Sequence, residues 1–210
     1  YDSKVRILVT GSGGMLGSAI VRALGTHNQH EIFPFTRADG DLSQPSGISR
    51  TIKSFKPQIV IHTAAKVGGI QANIKDPVSY LLDNLKIDTN LISDCLSLGV
   101  KNLLQIGSSC MYPRDFRQPL IESDLFQAPL EPTNEGYALA KLASAKLCEF
   151  ASKSHKVAYK TIIPSNLYGP GDNFDPGSSH LVASVIRKVY EAQLQESKQI
   201  RSLLTSPHQK

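Results

Sequence analysis

The sequence lacks the features that mark several broad classes of protein. None of its apolar runs approaches the ~20 residues that a transmembrane helix needs, and its first residues contain no long apolar segment of a secretory signal. Its three cysteines, Cys95, Cys110 and Cys148, are widely spaced, which favours reduced thiols over a disulfide framework and gives no zinc-site spacing. The formal net charge is +5, but no stripe of lysines and arginines interleaves with aromatics. We therefore expect a soluble, cytoplasmic protein with no metal, no membrane contact and no nucleic-acid partner.

Short apolar runs alternate along the chain with longer amphipathic segments. The apolar runs predict strands over residues 5–10, 31–36, 58–64, 102–107 and 158–164. The amphipathic segments predict helices from the first glycine turn through Ala23, around 45–55, and over 77–98, 135–150 and 181–192. Pro34 predicts an irregular second strand. The alternation is typical of an α/β, Rossmann-type doubly wound parallel sheet with helices on both faces. We expect one such domain over residues 1–192 and a polar tail over 193–210.

A glycine-rich turn, VTGSGGMLG at residues 9–17, joins the first strand to the first helix. Gly11 permits the tight turn, Gly14 lets the backbone approach a pyrophosphate, and Gly17 allows close packing of helix on strand. The pattern predicts a dinucleotide-binding turn, with a merely flexible turn as the alternative. The expected cofactor contacts in this segment are Gly11, Ser12, Gly13, Gly14, Met15, Leu16 and Gly17.

The residues after the second strand indicate which dinucleotide is preferred. NAD enzymes usually carry an acid at this place, whereas this chain reads Thr36-Arg37-Ala38-Asp39. An arginine suits a 2′-phosphate, so NADP(H) is favoured over NAD(H). In the alternative, Arg37 is a solvated loop residue and Asp39 or Asp41 binds the ribose.

Two further segments carry candidate catalytic groups. Tyr137 and Lys141 lie one helical turn apart, and an ammonium there can stabilise a phenolate and hold a nicotinamide ribose. The fourth strand ends in GSSCMYP at 107–113, and strand alternation would place Ser108 and Cys110 on one face and Ser109 on the other. From the residues alone, Ser108 and Cys110 are either packing or half of an active site, and the Tyr137/Lys141 pair is either catalytic or an exposed surface pair.

The glycine turn, Ser108 and the Tyr137/Lys141 pair together resemble the extended short-chain dehydrogenase/reductases. Residues 64–77, 107–113, 131–142 and 164–180 narrow the resemblance to the GDP-L-fucose synthase family, and the likeness runs from about residue 4 to 192. That family consists of NADP-dependent epimerase/reductases that act on GDP-4-keto-6-deoxy-D-mannose. The resemblance implies a GDP-sugar substrate, a homodimer and a small C-terminal domain that this chain lacks.

The resemblance also implies roles for individual residues. Ser108, Tyr137 and Lys141 would form the reductase triad at carbon 4 of the sugar, and Cys110 and His180 the acid/base pair for epimerisation at carbons 3 and 5. Substrate contacts would come from Ser108, Cys110, Tyr137, Asn166, His180 and Lys188. Cofactor contacts beyond the glycine turn would come from Arg37, Asp41, Leu42, Ala64, Ala65, Ile106, Gly107, Ser108, Ser109, Tyr137, Lys141, Pro164, Ser165, Asn166, Leu167 and His180.

Each role has an alternative. Cys110 could be a buried apolar filler, His180 a solvated helix cap, and Lys188 part of a charged helix face. For the whole chain, the alternatives are a truncated, catalytically silent NADP(H)-binding module, or another nucleotide-sugar epimerase/reductase of the same superfamily.

Overall fold

The computed structural model describes residues 4–26 and 29–205, which form five strands and six α-helices joined by turns and short 3₁₀ segments. The strands are β1 (Val5–Thr10), β2 (His30–Phe35), β3 (Ile59–His62), β4 (Asn102–Ile106) and β5 (Ala158–Ile162). The helices are α1 (Met15–Gly25), α2 (Ser49–Phe55), α3 (Ile70–Lys75), α4 (Pro77–Ser97), α5 (Glu135–His155) and α6 (Leu181–Thr205).

All five strands run parallel, in the order β2-β1-β3-β4-β5. The chain leaves β1 towards one edge through β2 and returns to build the other edge through β3, β4 and β5. This reversal makes the carboxyl ends of β1 and β3 the switch point, where open α/β sheets bind their ligands. The predicted fold class, a Rossmann-type doubly wound sheet, is confirmed.

The sheet is buried on both faces because apolar side chains of its central strands point to both sides. On one face, Leu8, Val60 and Leu103 pack against α4 and α5 in the largest buried cluster. On the other face, Ile7 and Val9 pack with partly buried residues of α1. Helices therefore cover both sides, and the open rim at the strand carboxyl ends remains for a site.

Three elements differ from the prediction. Pro34 does not make β2 irregular, because β2 is an edge strand and keeps its register with β1 through the pair Val9 and Pro34. Helix α3 was not predicted. Helix α6 continues to Thr205 instead of ending near Ala192, so the first part of the predicted tail is helical, and residues 206–210 lie outside the described residues.

Helix α6 exposes a row of large apolar side chains: Leu181, Val185, Ile186, Val189 and Tyr190. None of the helices in the described part of the chain is both long enough and apolar enough to cross a membrane.

Candidate active site

The glycine turn lies at the switch point between β1 and β3. Gly11 has a φ of +68°, and a Cβ there would lie 2.6 Å from the backbone nitrogen of Ala64, in the loop after β3. A Cβ on Gly17 would lie 2.2 Å from the carbonyl oxygen of Gly11, so only glycine lets α1 begin this close to the turn. A Cβ on Gly13, in contrast, would meet no atom within 4 Å. The turn is thus tight on its protein side and open on its outer side, as a pyrophosphate site requires.

The turn is tied to the end of β2, where the sequence predicts cofactor selection. The buried hydroxyl of Ser12 donates to the carbonyl oxygen of Phe35 over 3.0 Å. Beyond Phe35, the Asp39 carboxylate accepts from the backbone N–H and hydroxyl of Thr36, each over 2.8 Å. Asp41 accepts from the backbone N–H of Ser43 over 2.9 Å, and the Ser43 bonds lower the pKa of Asp41. Both acids are therefore engaged in their own turns, while Arg37 is exposed just beyond β2.

Ser108 and Cys110 come together through a 3₁₀ turn rather than through strand alternation. Strand β4 ends at Ile106, and Ser108 caps the turn Ser109–Met111 by accepting from the backbone N–H of Cys110 over 3.4 Å. The Cys110 thiol then donates to Ser108 Oγ over 3.2 Å. The predicted proximity is present, but its predicted cause was wrong, because the backbone turns immediately after the strand.

The Cys110 thiol is protonated in this arrangement. Burial raises the pKa of Cys110, while the hydrogen bond to Ser108 and the Lys141 ammonium partly offset the effect. The same electrostatic coupling reaches Tyr137, whose pKa is raised by burial, by Cys110 and by Asp88. Cys110, Tyr137 and Lys141 thus act on one another across a single small site.

Tyr137 and Lys141 lie in the first two turns of α5, where the sequence predicts them. The Lys141 Nζ atom lies 6.0 Å from the centre of the Tyr137 ring. Tyr137 is half-buried, whereas the Lys141 side chain is only 2% exposed. The alternative of an exposed surface pair is therefore wrong.

Sequence reasoning missed the group that accompanies Lys141. The Lys141 Nζ atom lies 3.1 Å from Oδ2 and 3.3 Å from Oδ1 of Asp88 on α4, whose side chain is fully buried. Asp88 also contacts His62 Nε2 at 2.9 Å and accepts from the Ser144 hydroxyl over 2.6 Å. His62 Nδ1 in turn lies 2.6 Å from Thr10 Oγ1. These five side chains form a buried polar cluster, called here the Asp88 cluster.

A signal for Asp88 exists in the sequence. The buried side of α4 carries Tyr80, Asn84, Asp88, Leu91 and Cys95, with Ile92 next to Leu91, and the first five are spaced by three or four residues. Asp88 is a carboxylate in the middle of this stripe, and a buried carboxylate requires a partner. The periodicity identifies the burial, but the identity of the partner requires the packing of α5 on α4.

The other residues predicted to contact the cofactor lie either at the carboxyl ends of the strands or in the hydrophobic core. Ala64 and Ala65 follow β3 beside Gly11, and Gly107 lies at the end of β4, where its N–H donates to Ile162 over 2.8 Å. Leu42 is in the hydrophobic core, so its side chain is not available to a cofactor. The other predicted contacts that lie at the rim, partly or fully exposed, are Met15, Leu16, Ile106, Ser109, Pro164, Ser165, Asn166 and Leu167.

His180 and Lys188 are not brought to the other catalytic groups by any hydrogen bond or ion pair in the described part of the chain. His180 is exposed immediately before α6, and the carbonyl oxygen of the preceding Ser179 lies 3.5 Å from a Cβ built on Gly69, in the loop after β3. Lys188 is exposed on α6, whereas its neighbour Arg187 pairs with Glu191 at 3.0 Å. The acid/base role of His180 and the substrate role of Lys188 stay predictions.

Comparison with known proteins decides the family. The NAD dependent epimerase/dehydratase family matches residues 7–205. The chain belongs to this family. Among curated members, it is 42% identical over 189 residues to GDP-L-colitose synthase of Yersinia pseudotuberculosis, covering 90% of this chain and 61% of that protein. It is also 42% identical over 187 residues to GDP-L-fucose synthase of Azorhizobium caulinodans, covering 89% of this chain and 60% of that protein.

A solved structure of a GDP-L-fucose synthetase agrees with this family membership. The GDP-L-fucose synthetase from Naegleria fowleri bound to NADP superposes with a TM-score of 0.83 at 30% identity, covering 91% of this chain and 63% of that one. The present epimerase/dehydratase chain therefore spans about three fifths of the length of the relatives it matches. It contains the five-stranded parallel sheet, the glycine turn and the helix α5 that carries Tyr137.

Proposed function

We propose that this chain carries the catalytic part of an NADP(H)-dependent epimerase/reductase that converts GDP-4-keto-6-deoxy-D-mannose to GDP-L-fucose. The observation that carries the proposal is the grouping of Ser108, Cys110, Tyr137 and Lys141 at the carboxyl end of β4. A reductase alone needs the serine, tyrosine and lysine. The added thiol, bonded to the same serine, suits proton transfer at carbons next to the ketone.

The residues present fit an NADP(H) cofactor. The open outer side of the Gly11–Gly17 turn suits the pyrophosphate, and the exposed guanidinium of Arg37 suits a 2′-phosphate, while Asp39 and Asp41 each hold a hydrogen bond within their own turns. Lys141 would hold the nicotinamide ribose, and Ser165 and Asn166 would lie at the nicotinamide end. The cofactor supplies the hydride that the reduction consumes.

Epimerisation uses the acidity that the 4-ketone confers on the protons at carbons 3 and 5. One member of the Cys110/His180 pair removes a proton and the other returns one to the opposite face, so each centre inverts without net oxidation. Ser108 and Tyr137 donate hydrogen bonds to the oxygen on which enolate charge develops. The hydrogen bond between the Cys110 thiol and Ser108 Oγ supports these roles, because it places the proton-transfer group beside the group that would bind the ketone oxygen.

Reduction follows at carbon 4. Tyr137 would give its phenolic proton to the carbon-4 oxygen, which completes the alcohol. Lys141 stabilises the phenolate that remains. Because burial raises the pKa of Tyr137, the residue is protonated before the step and can act as the donor.

The test is incubation of the purified 210-residue chain with NADPH and GDP-4-keto-6-deoxy-D-mannose, followed by separation of the nucleotide sugars. Appearance of GDP-L-fucose with an equal loss of NADPH is the expected result. NADPH binding without any product would instead support a silent NADP(H)-binding module. The observation that favours this second candidate is the matched length, about three fifths of the relatives, together with the exposed apolar row of α6.

Replacing Cys110 tests the epimerase part of the proposal. Cys110→Ser is expected to slow solvent-deuterium incorporation at carbons 3 and 5 by ~10²-fold or more, since general acid–base catalysis contributes this much. The NADPH dissociation constant should stay within about twofold, because the thiol bonds to Ser108 rather than to the glycine turn. Unchanged deuterium incorporation would assign Cys110 to packing and leave a simple reductase of another GDP-4-keto sugar.

Location and assembly are also proposals. We place the enzyme in the cytoplasm, in keeping with three free cysteines, two of them buried.

We further propose a homodimer that joins α4 and α5 of two copies, because both helices expose large apolar side chains, among them Val78, Leu82 and Phe150.

A further inference from the structure

The Lys141 ammonium is buried against a carboxylate that belongs to another helix. Its side chain is 2% exposed and that of Asp88 is 0% exposed, and both carboxylate oxygens lie within 3.3 Å of Nζ. A buried ammonium without a counter-charge is costly, and a lysine side chain is flexible enough to move away from such a site. The ion pair offsets the cost of burying the ammonium only while Lys141 Nζ stays within bonding distance of the Asp88 carboxylate.

Asp88 itself is held from three sides. As an ionised carboxylate it only accepts hydrogen bonds, so His62 must carry its proton on Nε2 and donate to Oδ1 over 2.9 Å. His62 Nδ1 is then an acceptor, and the Thr10 hydroxyl donates to it over 2.6 Å. On the other oxygen, the Ser144 hydroxyl donates to Oδ2 over 2.6 Å. Together with Lys141, these donors from β3 and α5 fix the orientation of one carboxylate on α4.

The place of the cluster connects it to the proposed chemistry. Thr10 and His62 end β1 and β3, directly below the switch point where the glycine turn meets the loop after β3. Lys141 projects from α5 one turn after Tyr137, whose ring centre is 6.0 Å from Nζ. The cluster therefore links the floor of the cofactor site to the catalytic helix.

We propose that Asp88 is a positioning residue that fixes the Lys141 ammonium between Tyr137 and the nicotinamide ribose, with His62 and Ser144 fixing Asp88. This inference rests on the NADP(H)-dependent function proposed above. Asp88 acts on bound cofactor and substrate only through Lys141 and touches neither.

The experiment measures NADPH dissociation constants by fluorescence for the full chain and for Asp88→Asn, Lys141→Met and the double variant. Asp88→Asn is expected to weaken NADPH binding by about tenfold or more, the loss typical of a charge-assisted hydrogen bond to a ligand. In the Lys141→Met background the same replacement should change the constant by less than about twofold, because its effect passes through Lys141. Additive losses would overturn the proposal, since they would mean that Asp88 acts on the fold as a whole.

Turnover gives a second readout. Asp88→Asn should lower kcat with the KM for the nucleotide sugar within about twofold, because Lys141 does not bind that substrate. The matched control is Glu149→Gln on α5, the helix that carries Lys141, where an exposed carboxylate pairs with Lys146 at 2.8 Å. That variant should keep both the NADPH constant and kcat. A loss in Glu149→Gln equal to that in Asp88→Asn would also count against the proposal.

Removing one partner of a buried pair can unfold a domain, so His62→Leu serves as the second variant. It keeps the Asp88 carboxylate but removes one of its donors, and NADPH binding should weaken by about threefold or more. An unchanged constant in His62→Leu, with Asp88→Asn unfolded, would overturn the role. If the unaltered chain does not bind NADPH, both the proposed function and the positioning role of Asp88 fail. If the unaltered chain binds NADPH and a folded Asp88→Asn variant binds it equally well, only the positioning role of Asp88 fails.

Discussion

Arg37 lies exposed just beyond β2, while the two carboxylates near it are bonded within their own turns. At the scale of single residues, this arrangement favours a 2′-phosphorylated nucleotide. Asp39 Oδ2 accepts both of its hydrogen bonds from Thr36, and Asp41 Oδ1 accepts from Ser43, so each acid holds its own turn. An exposed guanidinium just beyond β2 can pair with a 2′-phosphate.

Arg37→Ala should therefore weaken NADPH binding by about 10- to 100-fold, the loss expected for charge-assisted hydrogen bonds, and leave NADH binding within about twofold. The measurement is a fluorescence titration with each nucleotide. Arg22→Ala, which removes an exposed arginine of α1, is the matched control and should change neither constant. Equal losses for NADPH and NADH would rule out a 2′-phosphate role for Arg37.

At the scale of elements, the contact between α1 and the glycine turn depends on a missing side chain. A methyl group on Gly17 would lie 2.2 Å from the Gly11 carbonyl oxygen and 2.8 Å from Thr63 Oγ1. Gly17→Ala is expected to lower the free energy of unfolding by about 1–3 kcal/mol, as overpacking does, and to weaken NADPH binding because α1 must move from the turn. Urea unfolding and the NADPH titration measure the two effects.

Gly25→Ala provides the control on the same helix. A Cβ at Gly25 meets nothing within 4 Å, so alanine should leave the free energy of unfolding unchanged or raise it by up to about 1 kcal/mol. A destabilisation in Gly25→Ala equal to that in Gly17→Ala would show that the contact with Gly11 does not cause the effect.

The interface between the sheet and helices α4 and α5 contains His62, which should make stability depend on pH. Burial lowers the pKa of His62 below 6.5, against the opposing effect of Asp88, so the folded chain keeps the imidazole neutral. Below pH 6.5 the unfolded chain binds a proton that the folded chain does not. The free energy of unfolding should fall as pH decreases below about 6.5, by at most about 1.4 kcal/mol per pH unit from this group.

Urea unfolding between about pH 7 and pH 5 measures this slope. In His62→Leu the slope should become smaller, whereas His155→Gln, at the exposed end of α5, should keep it. The charged groups that face His62 are Asp88 and Lys141, and these remain in both variants. An equal slope in His62→Leu and in the unaltered chain would contradict the prediction.

At the scale of the whole molecule, two groups of exposed apolar side chains lie on the long helices of the described part of the chain. One is on α4 and α5 and the other is the row on α6. The proposed dimer uses the first. Leu82→Lys on α4 should lower the molar mass in light scattering from twice 22.9 kDa to 22.9 kDa, because a lysine cannot be buried there without a partner. Val185→Lys on α6 is the matched control and should stay dimeric; a monomeric unaltered chain would contradict the dimer itself.

Part of this structure follows from patterns that are local in the sequence. Apolar runs predict all five strands, although the edge strands β2 and β5 also carry polar residues such as Glu31 and Lys160. The spacing of Gly11, Gly14 and Gly17 locates the turn, and the i, i+4 spacing of Tyr137 and Lys141 places them on one helix. The irregularity expected at Pro34 is absent because an edge strand has no pairing on one side, and edge position is not visible in a local pattern. The prediction ended helix α6 near Ala192 because the segment after that residue is polar and carries little apolar periodicity. In the structure the helix continues to Thr205.

The sequence by itself determined the fold class, the position of the cofactor turn and the residue types available for catalysis, because each depends on periodicity or on the chemistry of a short segment. Only the tertiary structure decided that Ser108 meets Cys110 through a turn, that Asp39 and Asp41 accept hydrogen bonds within their own turns, and that Lys141 is buried against Asp88. The last of these contacts joins residues 53 positions apart, on two different helices. Its distances depend on how α4, α5 and the sheet pack, and packing is set by many weak contacts at once rather than by any one segment.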